Sequence, residues 1–287
     1  MKNKKTRKIF YGCALGFFIA VFLGSAIYLG RYAWQSHNVK SSFNELSALK
    51  EQVLSTQPSA NTINGGSVST DSTDPSGDDS QLATEAEVDP DATDENGMLL
   101  DMAAVYALNS DVVGWITIPG TNIDYPVMQT KNYTDYYLRR SFEKTYSTWG
   151  CIYAREKCDV FAPSDNVVLY GHHMGDGTMF AQLDYYKTKS YWQENQTFTF
   201  DTLYERHTYR IFAVFKTSGT YGEGFPYYSY NDFSSQASFD SFIANVLAMA
   251  FYDTGIVPQY GDHLLTLSTC EYTLTNGRFV VMAVQID

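Results

Sequence analysis

HLLTLSTCEYTLTNGRFVVMAVQI, residues 263–286, holds two apolar runs rich in the Leu, Val and Thr that suit extended chain, His263 to Ser268 and Arg278 to Ile286. Cys270 stands just beyond the first run, and Asn276-Gly277-Arg278 heads the second. Runs of the same kind recur upstream at Gly150 to Ala154, Asn166 to Tyr170, Gln196 to Phe200 and Thr208 to Thr217. In VVGWITIPGTNIDYPVMQ, residues 112–129, Pro119-Gly120 marks a turn between two more strands. Met98 to Leu108 reads as a helix. A second helix fits SFDSFIANVLAMAFY, with Phe239, Phe242, Ile243, Val246, Leu247 and Ala250 on one face and Ser238 placed to cap it. Many short strands with an inserted amphipathic helix predict a mostly β fold, a closed antiparallel or mixed barrel, over a βαβ sheet. Residues 97–287 suffice for one cored domain.

Further outward the character of the chain changes. Residues 1–8 carry Lys2, Lys4, Lys5, Arg7 and Lys8 and no acid, and Ile9 to Gly30 holds no charged side chain. At about 1.5 Å per residue that run spans roughly 33 Å, enough to cross a hydrocarbon core of about 30 Å. We read 1–8 as a basic cytoplasmic tail and 9–31 as a transmembrane anchor. A cleavable signal peptide also begins basic and turns apolar, but its apolar core is about 7–15 residues, and here Gly24-Ser25-Ala26 leads into more apolar sequence. The Lys and Arg excess before the span predicts a cytoplasmic N-terminus, with everything after Tyr32 outside the cell membrane. Within 32–54, Val39, Phe43, Leu46, Leu49 and Val53 have helical spacing, as in a stalk continuing the membrane helix. Residues 55–96 are Ser, Thr, Asp, Gly and Pro with almost no large apolar residue, the composition of a disordered acidic linker. A net charge of -12 speaks against a nucleic-acid partner.

Three local patterns carry chemistry: Leu169-Tyr170-Gly171-His172-His173-Met174, Thr266-Leu267-Ser268-Thr269-Cys270, and Asn276-Gly277-Arg278. In each, an apolar strand delivers polar groups at its end, where a rigid element can hold them to tight tolerances. A cysteine attacks as thiolate and needs a nearby base, and the leaving amine needs an acid; histidine serves both. Arginine stays charged and is a clamp for a developing oxyanion. His172-His173 is also a conceivable metal pair, but His207 and His263 lack ligand-like spacing with it and no carboxylate cluster argues for calcium, so neither metal nor cofactor is expected. Of the remaining cysteines, Cys13 falls inside the apolar run, and the short offset of Cys151 from Cys158 disfavours their pairing. The residues alone leave open a transpeptidase, a cysteine peptidase that passes its acyl group to water, and a non-catalytic surface domain in which these motifs are packing.

Taken together the patterns resemble the sortase family. Thr266-Leu267-Ser268-Thr269-Cys270 is similar to the sortase TLxTC motif, Arg278 stands where the family's arginine begins the final strand, and Gly171-His172 matches the family's Gly-His. The GHHM spelling, Thr178-Met179-Phe180, the DVVGWITIPGTNIDYPVMQ segment and the helix before the Cys strand resemble class B in particular. The resemblance spans nearly all of 97–287. It implies an eight-stranded sortase barrel with N-terminal helices, and a membrane-anchored transpeptidase in which Cys270 is nucleophile, His172 acid and base, and Arg278 oxyanion stabiliser. Ser268 and Thr269 become candidate substrate contacts, and the Glu271 backbone N–H a second oxyanion donor. The implied partners are a surface protein with an NPxTx-like sorting signal and an acceptor amine, from a peptidoglycan precursor or cross-bridge or, alternatively, from a pilin lysine. Some relatives carry an acid shortly after the Cys-Glu pair; this chain has Tyr272 after Glu271, so no Asp-type third member is implied.

Overall fold

The computed structural model describes residues 2–56, 89–220 and 222–287. Eight strands close into a barrel: β1 (Val112–Thr117), β2 (Asp124–Met128), β3 (Ile152–Ala154), β4 (Asn166–Tyr170), β5 (Thr197–Thr202), β6 (Thr208–Ser218), β7 (Leu264–Glu271) and β8 (Gly277–Gln285). Their order around the barrel is β1-β2-β3-β4-β7-β8-β6-β5, and β5 closes the ring by pairing antiparallel with β1. Two pairings are parallel, β2 with β3 and β4 with β7. A parallel pair needs a long crossover. The one from β4 to β7 contains α3 (Lys189–Glu194), β5, β6 and α4 (Gln236–Met249).

The apolar runs are continuous because several strands are buried on both faces. Phe279 to Ala283 of β8 are all at 0% exposure, one face towards the barrel interior and the other covered in part by the 3-10 turn Ala181–Lys187. Trp115, Phe198, Phe212 and Phe215 fill out the same core. Gly114 of β1 lies so close to β5 that a Cβ would collide with the Asp201 carbonyl, so only glycine fits there.

The N-terminal segment is one continuous helix, α1 (Lys2–Ser55). From Phe10 its first part is long and apolar enough to cross a membrane, and its large side chains stand exposed as far as Leu29. Beyond that it is not a free stalk: Phe43 and Leu46 enter the core, and Ser47 donates to Asp124. Near its end Lys50 approaches Asp101 at 3.7 Å and Asp201 at 3.5 Å. Asp101, fully buried on α2 (Leu100–Leu108), also pairs with Arg206 at 3.0 Å.

Arg206 further donates to the Pro90 carbonyl and pairs with Asp91 at 3.3 Å, while Asp94 accepts from the Met98 and Asn96 backbone N–H groups. Within the expected linker, residues 89–96 form turns tied to the barrel, and 57–88 lie outside the described residues. The helix cap is also displaced. Ser235, not Ser238, caps α4, accepting from the Ser238 N–H at 3.3 Å, since a cap sits three residues before the amide it satisfies. Cys151 and Cys158 are free, buried thiols. Cys158 accepts from the Asn231 amide at 2.9 Å and the Val168 N–H at 3.4 Å.

Candidate active site

Barrel order brings the three reactive patterns together. β7 lies between β4 and β8, with Tyr170 in register with Ser268 and Cys270 in register with Arg278. The Gly171 N–H donates to the Ser268 carbonyl at 3.1 Å, so the chain leaves β4 directly beside Thr269-Cys270. His172, Cys270 and Arg278 line one cleft of about 350 Å³ with Ser268, Thr269 and Tyr170. All three are half-buried.

Gly171 is required at this strand end. A Cβ there would lie 2.5 Å from Ile152 and 2.7 Å from the Phe180 ring, so the chain passes only without a side chain. Gly171→Ala is expected to destabilise the fold by about 1–3 kcal/mol through overpacking. It should also lower kcat/KM by up to roughly 10²-fold by moving the imidazole that follows. Thermal unfolding and peptide kinetics on one preparation check both, and unchanged values in both would contradict this account.

His172 Nε2 lies 2.8 Å from the carbonyl of Leu138, which belongs to the 3-10 turn Tyr136–Arg139. A carbonyl only accepts, so Nε2 carries the hydrogen and Nδ1 of the neutral ring is free to accept a proton. Burial holds the His172 pKa below its ordinary value, with Arg139 acting in the same sense and the Leu138 hydrogen bond opposing. His173 turns elsewhere: its Nε2 meets Asp184 at 3.0 Å, its ring packs edge-on against Tyr272, and its carbonyl accepts from the Tyr272 hydroxyl.

Arg278 Nη1 donates to the carbonyls of Asn276 and Gly277 at 3.1 and 2.9 Å. Gly219, which follows β6, lies against it; a Cβ there would meet the guanidinium carbon at 3.2 Å.

The flanking candidates separate. The Ser268 hydroxyl is buried and shares a 2.6 Å hydrogen bond with Tyr227, whereas Thr269 Oγ1 is buried without a partner among the described residues. The Glu271 carboxylate accepts from the Thr273 N–H and hydroxyl and the Leu274 N–H. Burial pushes its pKa up, but these hydrogen bonds outweigh burial and hold it below the usual carboxylate range. Glu271 thus closes the connection from the Cys strand to the Arg strand, a task its position in sequence does not announce.

Sequence reasoning does not single out Asp176. It accepts from Ser36 of α1 at 2.5 Å, from the Trp149 indole at 3.0 Å, and from the Thr178 hydroxyl and N–H. Burial raises its pKa, but these donors outweigh it and the net shift is downward. The loop after His172 is thereby tied to α1. Only the DG of Met174-Gly175-Asp176-Gly177, a turn signal, hints at a structured loop.

The Sortase domain family model matches residues 116–286. The chain belongs to the sortase family. Sortase B of Listeria monocytogenes serovar 1/2a is 32% identical over 196 residues, covering 67% of this chain and 77% of the relative. The solved Staphylococcus aureus sortase B–substrate complex superposes with a TM-score of 0.60 at 29% identity, covering 67% of this chain and 88% of that one. A crystal structure of sortase B complexed with triglycine gives 0.59 at 31% identity, covering 65% and 86%. This chain is a class B sortase with the eight-stranded barrel of that family, and its enzyme class is that of a cysteine transpeptidase that processes surface proteins.

Proposed function

We propose that this sortase is a membrane-anchored transpeptidase that cleaves an NPxTx-like C-terminal sorting signal and passes the surface protein to a cell-wall amine, with Cys270, His172 and Arg278 as its catalytic groups. The observation that carries the reading is the register of three adjacent strands, which sets Cys270 opposite Arg278 and His172 at the neighbouring strand end, all on one cleft.

His172 Nδ1 takes the Cys270 thiol proton, and the thiolate attacks the Thr carbonyl of the signal. The tetrahedral oxyanion is held by the Arg278 guanidinium and the Glu271 backbone N–H. The C–N bond breaks as His172 returns its proton to the departing amine, leaving a thioacyl enzyme. An incoming amine attacks that thioester, gives its proton to His172, and the C–S bond breaks to release the new amide. The unpartnered Thr269 hydroxyl contacts the substrate backbone; Ser268, already bonded to Tyr227, supports the cleft wall. Support for an amine acceptor comes from the sortase B relative solved with triglycine, and for the peptide substrate from the relative solved as a substrate complex. The anchor is the apolar first part of α1, with the basic N-terminus on the cytoplasmic side.

The full-length chain, given a sorting peptide and increasing concentrations of a triglycine or lysine amine, is expected to form the amide product. Hydrolysis alone at every amine concentration would make it a peptidase, and preference for a lysine side chain over triglycine would favour pilin as the acceptor. The pH profile tests the base. A neutral imidazole is needed to take the thiol proton, and its population grows as pH climbs through a pKa that burial has depressed. The acid limb of kcat/KM is therefore expected to have its midpoint below 6.5, the ordinary imidazole value. A midpoint at or above 6.5 would contradict the assignment.

A further inference from the structure

The contacts of α1 with the barrel form a ruler that starts at Gly30, the last residue of the uncharged run. Tyr32 packs at a tilt against Trp149 with ring centroids 5.2 Å apart, and its hydroxyl lies 4.0 Å from where a Gly175 Cβ would stand. Ser36 donates to Asp176, and only far along the helix does Lys50 meet Asp201. At about 1.5 Å per residue these contacts fall roughly 3, 9 and 30 Å beyond Gly30. Each interfacial layer of a bilayer is about 5–7 Å thick. The barrel end bearing residues 173–178, which directly follow His172, thus lies at the headgroups and just above them, while the end bearing Asp201 and Arg206 points away.

The side chains at that end suit an interface. Trp34 is 64% exposed and Tyr146 is 75% exposed, and both line a cavity of about 390 Å³ between α1 and residues 141–150. Tryptophan and tyrosine favour the boundary where one end of the ring is wet and the other apolar. In a chain of net charge -12, segments 143–149 and 174–178 carry Glu143, which accepts from Ser42 of α1, Lys144, paired with Asp111 at 2.9 Å, and the hydrogen-bonded Asp176. This sparsely charged rim meets less repulsion at an anionic lipid surface than the acidic remainder would.

We propose that residues 173–178 and 144–149, with Trp34 and Tyr146 as interfacial rings, rest on the phospholipid headgroups and set the active-site cleft at the membrane surface. The proposal rests on the reading of α1 as a retained anchor. It makes Asp176 the link that transmits helix position to the His172 loop, and it places the cleft within reach of chains tethered in the same bilayer.

The test uses the full chain in vesicles of phosphatidylcholine and phosphatidylglycerol whose acyl chains carry bromine near the headgroup. The parent is Trp34→Phe, in which Trp115, Trp149 and Trp192 remain, all buried. Gly175→Trp or Tyr146→Trp adds a reporter on the rim, and Tyr204→Trp adds one two residues from Arg206 at the far end. Both rim reporters are expected to raise the quenched fraction at least about twofold over the parent, and the far reporter to leave it unchanged. A chain that does not float with the vesicles overturns the anchor and this proposal with it. A chain that floats, with rim reporters quenched no more than the parent or than Tyr204→Trp, overturns the docking alone. The two rim sites guard against a local folding fault, since a Cβ at Gly175 would meet only the Tyr32 hydroxyl, at 4.0 Å, an ordinary van der Waals contact, and Tyr146 is exposed.

Discussion

Cys270→Ala is expected to abolish cleavage of a sorting peptide, a loss on the order of 10⁴-fold or more, because it removes the thiol that His172 activates to form the acyl intermediate. His172→Ala should fall nearly as far, since nucleophile and base act as a unit and losing either removes most of what both supply. The double variant should therefore be little worse than either single one. His173→Ala should retain activity within about threefold, because its ring is turned to Asp184 and Tyr272 and away from the cleft. Single-turnover cleavage of a fluorogenic sorting peptide measures all four. If His173→Ala were the more damaging of the two His changes, the roles would be exchanged; if Cys270→Ala kept its rate, the site would have to be sought elsewhere. Cys151 and Cys158 are no substitutes, since burial pushes both thiols up, Cys158 to about 11, and both are packed away from solvent.

The strands of this barrel are legible because each is an apolar run punctuated by Gly, Pro or Asn, and the reactive residues are legible because they stand at the ends of such runs. Pairing is not. That β4 lies parallel to β7 although α4 and two other strands intervene in sequence is a tertiary fact, and it alone sets His172 beside Cys270. The extent of β7 escapes the sequence for a related reason. The apolar pattern stops at Leu267, yet the ladder continues to Glu271 because β8 supplies hydrogen-bonding partners there. The Tyr136–Arg139 turn that offers its carbonyl to His172 is too short to show a period, and Asp135 enters it with φ 53, a left-handed conformation for which Asp is among the tolerant residues. Asp176 and Arg206 escape because a charged residue bonded to several distant segments looks, in sequence, like any solvated acid or base.

The mechanism makes its second large demand on Arg278. Both hydrogen bonds recorded for its guanidinium use Nη1, directed at the carbonyls of Asn276 and Gly277, so Nη2 and Nε remain without a partner among the described residues. That backbone clamp fixes the group's position across the ladder from Cys270 before substrate arrives, and a donor already in place needs no reorganisation when negative charge appears on the attacked carbonyl oxygen. Arg278→Ala is expected to lower kcat/KM by about 10²–10³-fold, near 2.7–4 kcal/mol, the usual cost of losing an oxyanion donor. The loss should appear equally in kcat, with KM little changed, because the interaction forms mainly in the transition state. Arg278→Lys should recover only part of the rate, since a lysine ammonium keeps the charge but cannot be anchored on the two carbonyls through one nitrogen while other planar N–H donors stay free for the oxyanion. A fall confined to KM would instead make Arg278 a ground-state substrate contact, and full activity in Arg278→Ala would remove it from the chemistry and leave the oxyanion to backbone N–H groups.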